Sequence, residues 1–222
     1  MAEVGCVERK TSDIEYVALI LFYEAFIGDN WRFNDNWLEG DPCINQWYGV
    51  GCNTEGNIIS LFFFENHLQG VIPEEISDLG HLKHLSIFNG ELGFQGQENL
   101  NANKVDKLPE SISLLSNLEE LNLAWVGLGG LIPENFTQLS KLRFLNLSNN
   151  ELEGALPAKN WDNLQHLEML ELQNNKFGGQ LPGSLAFMTE LTYVNLSHND
   201  FRGDVLILKG AQKLQGLELS HN

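Results

Sequence analysis

The groups in this chain of 222 residues that could carry chemistry are six histidines, three cysteines and thirty carboxylates. Histidine is the usual general base, but His67, His81, His84, His166, His198 and His221 lie scattered along the chain. None stands in a motif that fixes a serine or cysteine nucleophile beside it and an orienting acid behind it. Glu171 and Glu218 suit general acid–base work, yet both fill ordinary exposed positions of a repeating strand pattern. Cys43 and Cys52 are nine positions apart and flank the segment WYGV, while Cys6 is left over. Two thiols with no suitably spaced histidine make a poor zinc site. An odd cysteine points to a free thiol or to a bond with another molecule. No acidic cluster has the spacing of a calcium loop. These residues therefore predict a protein that is not an enzyme and holds neither metal nor cofactor.

The elements that position them are repeats. The pattern LxxLxLxxNxLxGxIP starts at Ile58, Leu82, Leu118, Leu142, Leu167, Leu191 and Leu214, in steps of 24, 36, 24, 25, 24 and 23 residues. Such a period with this leucine pattern marks leucine-rich repeats, each adding one short strand to a solenoid. In the repeat from Leu142 to Leu156, Leu145 and Leu147 alternate with polar residues, as in a strand with one buried face. An asparagine follows five of the seven strands, and its amide can bond the backbone groups a turn leaves unpaired. Asn66, Asn150, Asn175, Asn199 and Asn222 should form one such ladder. Gly90 and Val126 interrupt it, which predicts looser turns there. Five of the six prolines, Pro73, Pro109, Pro133, Pro157 and Pro182, share one slot where no N–H is needed. Leu206 takes that slot in the sixth repeat, so its convex side should depart from the pattern.

The LxGxIP half of the repeat resembles the plant-type leucine-rich repeat family. Upstream, residues 13–30 read DIEYVALILFYEAFIGDN, followed by Trp31, Asn36, Trp37, DPC at 41–43, WYGVGC at 47–52 and NIISL at 57–61. That run resembles the family's N-terminal capping domain. GDNW at 28–31 and NWL at 36–38 resemble versions in microbial and algal relatives more than receptor versions. The resemblance implies a right-handed α/β solenoid: a leucine-rich-repeat horseshoe with a parallel concave sheet and a helical N-terminal cap. It also implies that Cys43 and Cys52 form a disulfide closing the cap. The expected organisation is an extension at 1–12, a cap at 13–57, and repeats at 58–222. The repeats number six plus a truncated seventh, with a polar insertion at about 93–107. Val17, Leu19, Ile20, Leu21, Tyr23, Phe26 and Ile27 form an apolar run able to seal the first repeat. Trp31, Trp37 and Trp47 are expected in the same core.

A net charge of −17 argues against nucleic acid and against anionic membrane surfaces. No apolar stretch reaches the ~18 residues of a membrane span, and no signal peptide is visible. A disulfide would point to an oxidising compartment. The expected location is therefore extracellular or at the cell surface, with a cytoplasmic chain of reduced cysteines as the alternative. Asn135 heads a sequon on the return side, where a glycan would do no harm. Asn146 and Asn195 also head sequons, but their Asn-Leu-Ser is the repeat consensus.

Positions three, five and seven of each strand should face the concave side. There Phe144, Met169 and Tyr193 occupy one column in successive repeats, and Phe62, Phe64 and Phe88 group at the N-terminal end. Trp125 stands near the rim between them. Grouped exposed aromatics favour a partner surface, and Asn122, Asn146 and Asn195 can bond a ligand backbone. The predicted function is a protein- or peptide-binding module of receptor-like kind. Inhibition of a secreted hydrolase and a cytosolic scaffold are the alternatives. The end of the last repeat lacks a cap, which opens a route to association.

Overall fold

A computed structural model describes residues 10–89 and 103–222. The cap begins with helix α1 (Asp13–Ala25). Its start is a reciprocal box: the Ser12 hydroxyl accepts from the Glu15 N–H at 3.3 Å and donates to the Glu15 carboxylate at 3.1 Å. The buried face is Ala18, Leu19, Phe22 and Tyr23. Of the expected sealing run, Val17 and Ile27 are about half exposed instead of buried, while Phe22 joins the core. A helix hides only one stripe, and a continuous apolar run does not say which. Phe22 stacks on Phe63 of the first repeat at 5.6 Å. Trp31, Trp37 and Trp47 are buried beside it, and their indole N–H groups donate to Phe26 O, Tyr48 O and Glu39 O. Cys43 and Cys52 are joined by a disulfide.

Strand β1 (Val50–Cys52) pairs antiparallel with β2 (Ile58–Phe64). Every later strand of that sheet is parallel. The sheet continues through β4 (His84–Phe88), β6 (Glu120–Asn122), β8 (Phe144–Asn146), β10 (Met169–Glu171), β12 (Tyr193–Asn195) and β14 (Gly216–Glu218), making eight strands among the described residues. A second ladder of short strands follows the turns: β7 (Gly129–Gly130), β9 (Glu151–Gly154), β11 (Lys176–Gln180) and β13 (Asp200–Arg202). Near the cap, β3 (Gln69–Gly70) pairs with β5 (Lys104–Val105). Single turns of 3-10 helix close the convex side, five residues long after Pro73, Pro109, Pro133 and Pro182. Where Leu206 replaces proline the turn runs six residues, Val205–Gly210, and the Asp204 carboxylate caps it by accepting from the Leu206 N–H. Leucines between the layers form one continuous core. The strand-end residues are thus held on a rigid parallel sheet, and this sheet displays the candidate site.

Side-chain amides lock each turn to the next. Asn150 Oδ1 accepts from Val126 N and Leu128 N, while its Nδ2 donates to Leu123 O and Leu147 O. Asn175 and Asn199 repeat the arrangement one and two turns on. Asn66 turns the other way and exchanges two bonds with the Phe33 backbone, fastening the cap. The second repeat departs from expectation. Asn103 Oδ1 accepts from Asn66 N and Leu68 N, and its Nδ2 donates to Phe63 O and Phe88 O. Asn103 is therefore that repeat's ladder residue. Gly90, most of the expected insertion and Cys6 lie outside the described residues. The turn at Val126 is not loose either. Val126 is buried, its carbonyl accepts from Val105 N, and Asn89 Nδ2 bonds the neighbouring Trp125 carbonyl.

Candidate ligand-binding surface

The strand register sets three columns on the concave face. Ser60, His84, Glu120, Phe144, Met169, Tyr193 and Gly216 stand in one row across β2 to β14. Neighbours in a row of a sheet lie about 5 Å apart. Phe144, Met169 and Tyr193 are half-buried, flanked by fully buried Leu145, Leu170 and Val194 that point into the core. Phe144 and Met169 form part of a depression of about 380 Å³, completed by His84, Glu119, Glu120, Arg143 and Glu168.

The charged residues of this depression come from the second position of the repeat as well as the third. Lys83 donates to Glu119 at 2.8 Å. Arg143 donates to one Glu168 oxygen from Nε and Nη2 at 2.9 and 2.7 Å. Glu120 receives the Ser86 hydroxyl at 3.0 Å and lies 3.3 Å from His84 Nδ1. The Lys83 ammonium holds the Glu119 carboxyl below the usual glutamate value, mainly by its hydrogen bond. Glu168 holds the Arg143 guanidinium above its ordinary value in the same manner. Looking only at positions three, five and seven missed this row. The alternation of sign at position two, Lys83, Glu119, Arg143, Glu168, was the available signal.

Beside the apolar column stand the asparagines of position five. Asn122, Asn146 and Asn195 each turn Oδ1 back to accept from the backbone N–H two residues on, at Ala124, Ser148 and Ser197. Asn195 Oδ1 also accepts the Ser197 hydroxyl. This fixes the amides in one orientation with Nδ2 as the donating atom, and Asn195 Nδ2 donates to the Tyr193 hydroxyl at 3.4 Å. Asn146 and Asn195 are half-buried in the sheet, whereas Asn135 is exposed on the convex turn Glu134–Gln138.

At the N-terminal end Phe62 and Phe64 remain 52% and 41% exposed, so neither is consumed by the cap. Phe88 lies between them, with ring centroids at 5.4 and 5.1 Å. Trp125 is not part of either group. It lines a separate depression with Gly127, Asn149, Asn150, Glu151 and Asn174 on the turn beyond the strands. Among the described residues no cluster of three or more histidines, cysteines or carboxylates could hold a metal, and no helix is long and apolar enough to cross a membrane.

A family model described as leucine rich repeat matches residues 116–177. Receptor-like protein 41 of Arabidopsis thaliana is 37% identical over 183 residues, covering 80% of this chain and 19% of its own length. Among solved structures, the ectodomain of the Arabidopsis receptor kinase HAESA, crystallised with a peptide hormone ligand, superposes with a TM-score of 0.76. It is 25% identical, and the match covers 93% of this chain and 33% of that one. The ectodomain of the Arabidopsis receptor kinase SOBIR1 gives a TM-score of 0.68 at 27% identity, covering 88% of this chain and 99% of that one. The chain spans about a third or less of the curated relatives it matches.

Proposed function

This chain belongs to the plant-type leucine-rich repeat family, and from that premise we propose that it is a non-catalytic recognition module. Its ligand is an extended protein or peptide segment lying along the concave face. The observation that carries this reading is the register of Phe144, Met169 and Tyr193 in one row, beside the fixed amides of Asn122, Asn146 and Asn195. An extended chain presents side chains and carbonyl oxygens in parallel tracks. The apolar column meets one track and the Nδ2 donors meet the other. The HAESA ectodomain, of similar fold, was crystallised with a peptide hormone. Three side chains on rigid strands lose little freedom on binding, so the patch they bury is not offset by a large ordering cost.

The same reading places the module outside the cell or at its surface. The Cys43–Cys52 disulfide fits an oxidising compartment. Finding both thiols reduced in protein isolated from its natural source would turn the assignment to a cytosolic scaffold.

A displayed random-peptide library tests the function. Peptides enriched on the wild-type protein should fail on Phe144→Ala and Tyr193→Ala. Equal enrichment on all three proteins counts against the concave-face assignment.

A further inference from the structure

The asparagine row at position five is broken in β10. Asn122, Asn146 and Asn195 each turn Oδ1 back to the backbone N–H two residues on. Glu171 stands between Asn146 and Asn195 in that row, and glutamate is one methylene longer. Its carboxylate accepts from the Gln173 side-chain amide instead, through Oε2 at 3.3 Å. Oε1 is left with no donor among the described residues. Met169 lies two residues earlier on the same strand, so its side chain leaves the same face about 7 Å away. We propose, building on the concave-face reading above, that the site selects peptides carrying a lysine or arginine. The cation pairs with Glu171 while an apolar side chain of the same peptide rests on Phe144, Met169 or Tyr193.

The first support is a missing counter-charge. Positions three, five and seven of β2 to β14 carry Glu120, Glu171 and Glu218 and no lysine or arginine. Glu120 has His84 and Ser86 beside it. Arg143 and Lys176 are committed to Glu168 and Glu151. Residues 90–102 contain no lysine, arginine or histidine. Glu171 is half-buried, and a carboxylate withdrawn from water without a partner is unfavourable. A ligand that brings the cation relieves that penalty.

The second support is the fixed setting of that charge. Strand β10 is paired on both sides, to β8 and to β12, and the Gln173 amide holds one oxygen of the carboxylate. The other oxygen is thus presented from a rigid strand, and little freedom is lost when a cation meets it. Glu171 is also the only charged residue of its row from β2 to β12. An acidic peptide segment placed there would face like charge without compensation, so the same residue that attracts a basic side chain rejects an acidic one.

The test is phage display of random linear dodecapeptides, selected in parallel on the wild-type protein, Glu171→Gln and Phe144→Ala. Wild-type selections should enrich lysine or arginine at a fixed spacing from an aromatic or aliphatic residue, and Glu171→Gln selections should not. The best-enriched peptide is then synthesised, together with a version carrying norleucine for lysine or citrulline for arginine. By calorimetry, Glu171→Gln and the neutral peptide should each weaken binding at least tenfold, with the thermal midpoint of the protein unchanged. Combined, they should lose little more than either alone, as expected of one pair. Glu153→Gln removes the same charge from an exposed position of β9 and should bind as the wild type does. Equal weakening by Glu153→Gln assigns the effect to the net charge of −17 and overturns the pairing. The pairing is also overturned, with the concave-face reading intact, if the selected peptides depend on Phe144 but show no basic enrichment and bind Glu171→Gln equally well. If no peptide is enriched on the wild type, both readings fall.

Discussion

Asn89 and Asn103 clasp each other across the extra segment of the second repeat. Asn89 Oδ1 accepts from Asn103 N at 2.6 Å, and Asn89 Nδ2 donates back to Asn103 O at 2.8 Å. Both residues are buried. The third repeat carries Val126 where an asparagine would accept from Asn103 N, so Asn89 supplies the missing acceptor from the preceding turn. The two residues are thus tethered to each other, and Asn103 takes its place in the ladder in register.

Replacing Asn103 with alanine should be costly. It strands the N–H groups of Asn66 and Leu68 and the carbonyls of Phe63 and Phe88. An orphaned buried backbone group costs about 1–3 kcal/mol, and water and relaxation recover part of the sum. We expect about 2–4 kcal/mol from the midpoint and slope of urea unfolding. A loss below about 1 kcal/mol would show that the amide is not holding the turn.

This clasp also marks the limit of what the sequence reveals. Leucine, glycine and proline registers report the position of a residue within its repeat, and so the parallel sheet and its columns were legible. They do not report where surplus chain departs, because closing a loop costs nearly the same at either side of a turn. Asn89 carries no repeat signal at all, since its role depends on a valine 37 positions later. In the candidate site, Phe144, Met169 and Tyr193 could be found by counting. For the ion pairs of Lys83 and Arg143 the alternating sign at position two was the only signal, because pairing across turns depends on side-chain reach as well as on register.

The disulfide should be detectable by counting thiols. Denatured but unreduced protein made under oxidising conditions should show one reactive cysteine, Cys6. Reduction, or a Cys43→Ser and Cys52→Ser pair, should cost about 2–3 kcal/mol, the chain-entropy value for a loop of this length. Three reactive thiols would sink the prediction.

The Lys83–Glu119 pair gives a pH dependence of known sign. The folded-state value of Glu119 is lowered by Lys83, so its contribution is present above the unfolded value of about 4.3. That contribution is lost as pH falls through the lowered folded value. The pair is exposed enough that about 0.2–1 kcal/mol is the expected scale. A carboxyl-detected NMR titration should place Glu119 below ordinary glutamate and move it upward in Lys83→Met. An unmoved midpoint would assign the shift elsewhere.

The concave column can be separated from fold stability because its side chains stand outside the core. Phe144 and Tyr193 are half-buried while Leu145 and Val194 beside them carry the packing. For a peptide recovered by display, Phe144→Ala or Tyr193→Ala should cost about 1–3 kcal/mol of affinity, the usual scale for an aromatic anchor. Thermal midpoints should change little. Phe88→Ala is the control, because its contacts are with Phe62 and Phe64 at the other end of the sheet. Asn146→Asp gives a finer reading. It keeps the acceptor that holds Ser148 N but replaces the Nδ2 donor with an oxygen. If Nδ2 meets a ligand carbonyl, Asn146→Asp should weaken binding by tenfold or more while the turn stays folded. If Phe144→Ala and Asn146→Asp both bind as the wild type does and Phe88→Ala does not, recognition sits with the N-terminal phenylalanines, and the central column is only exposed surface.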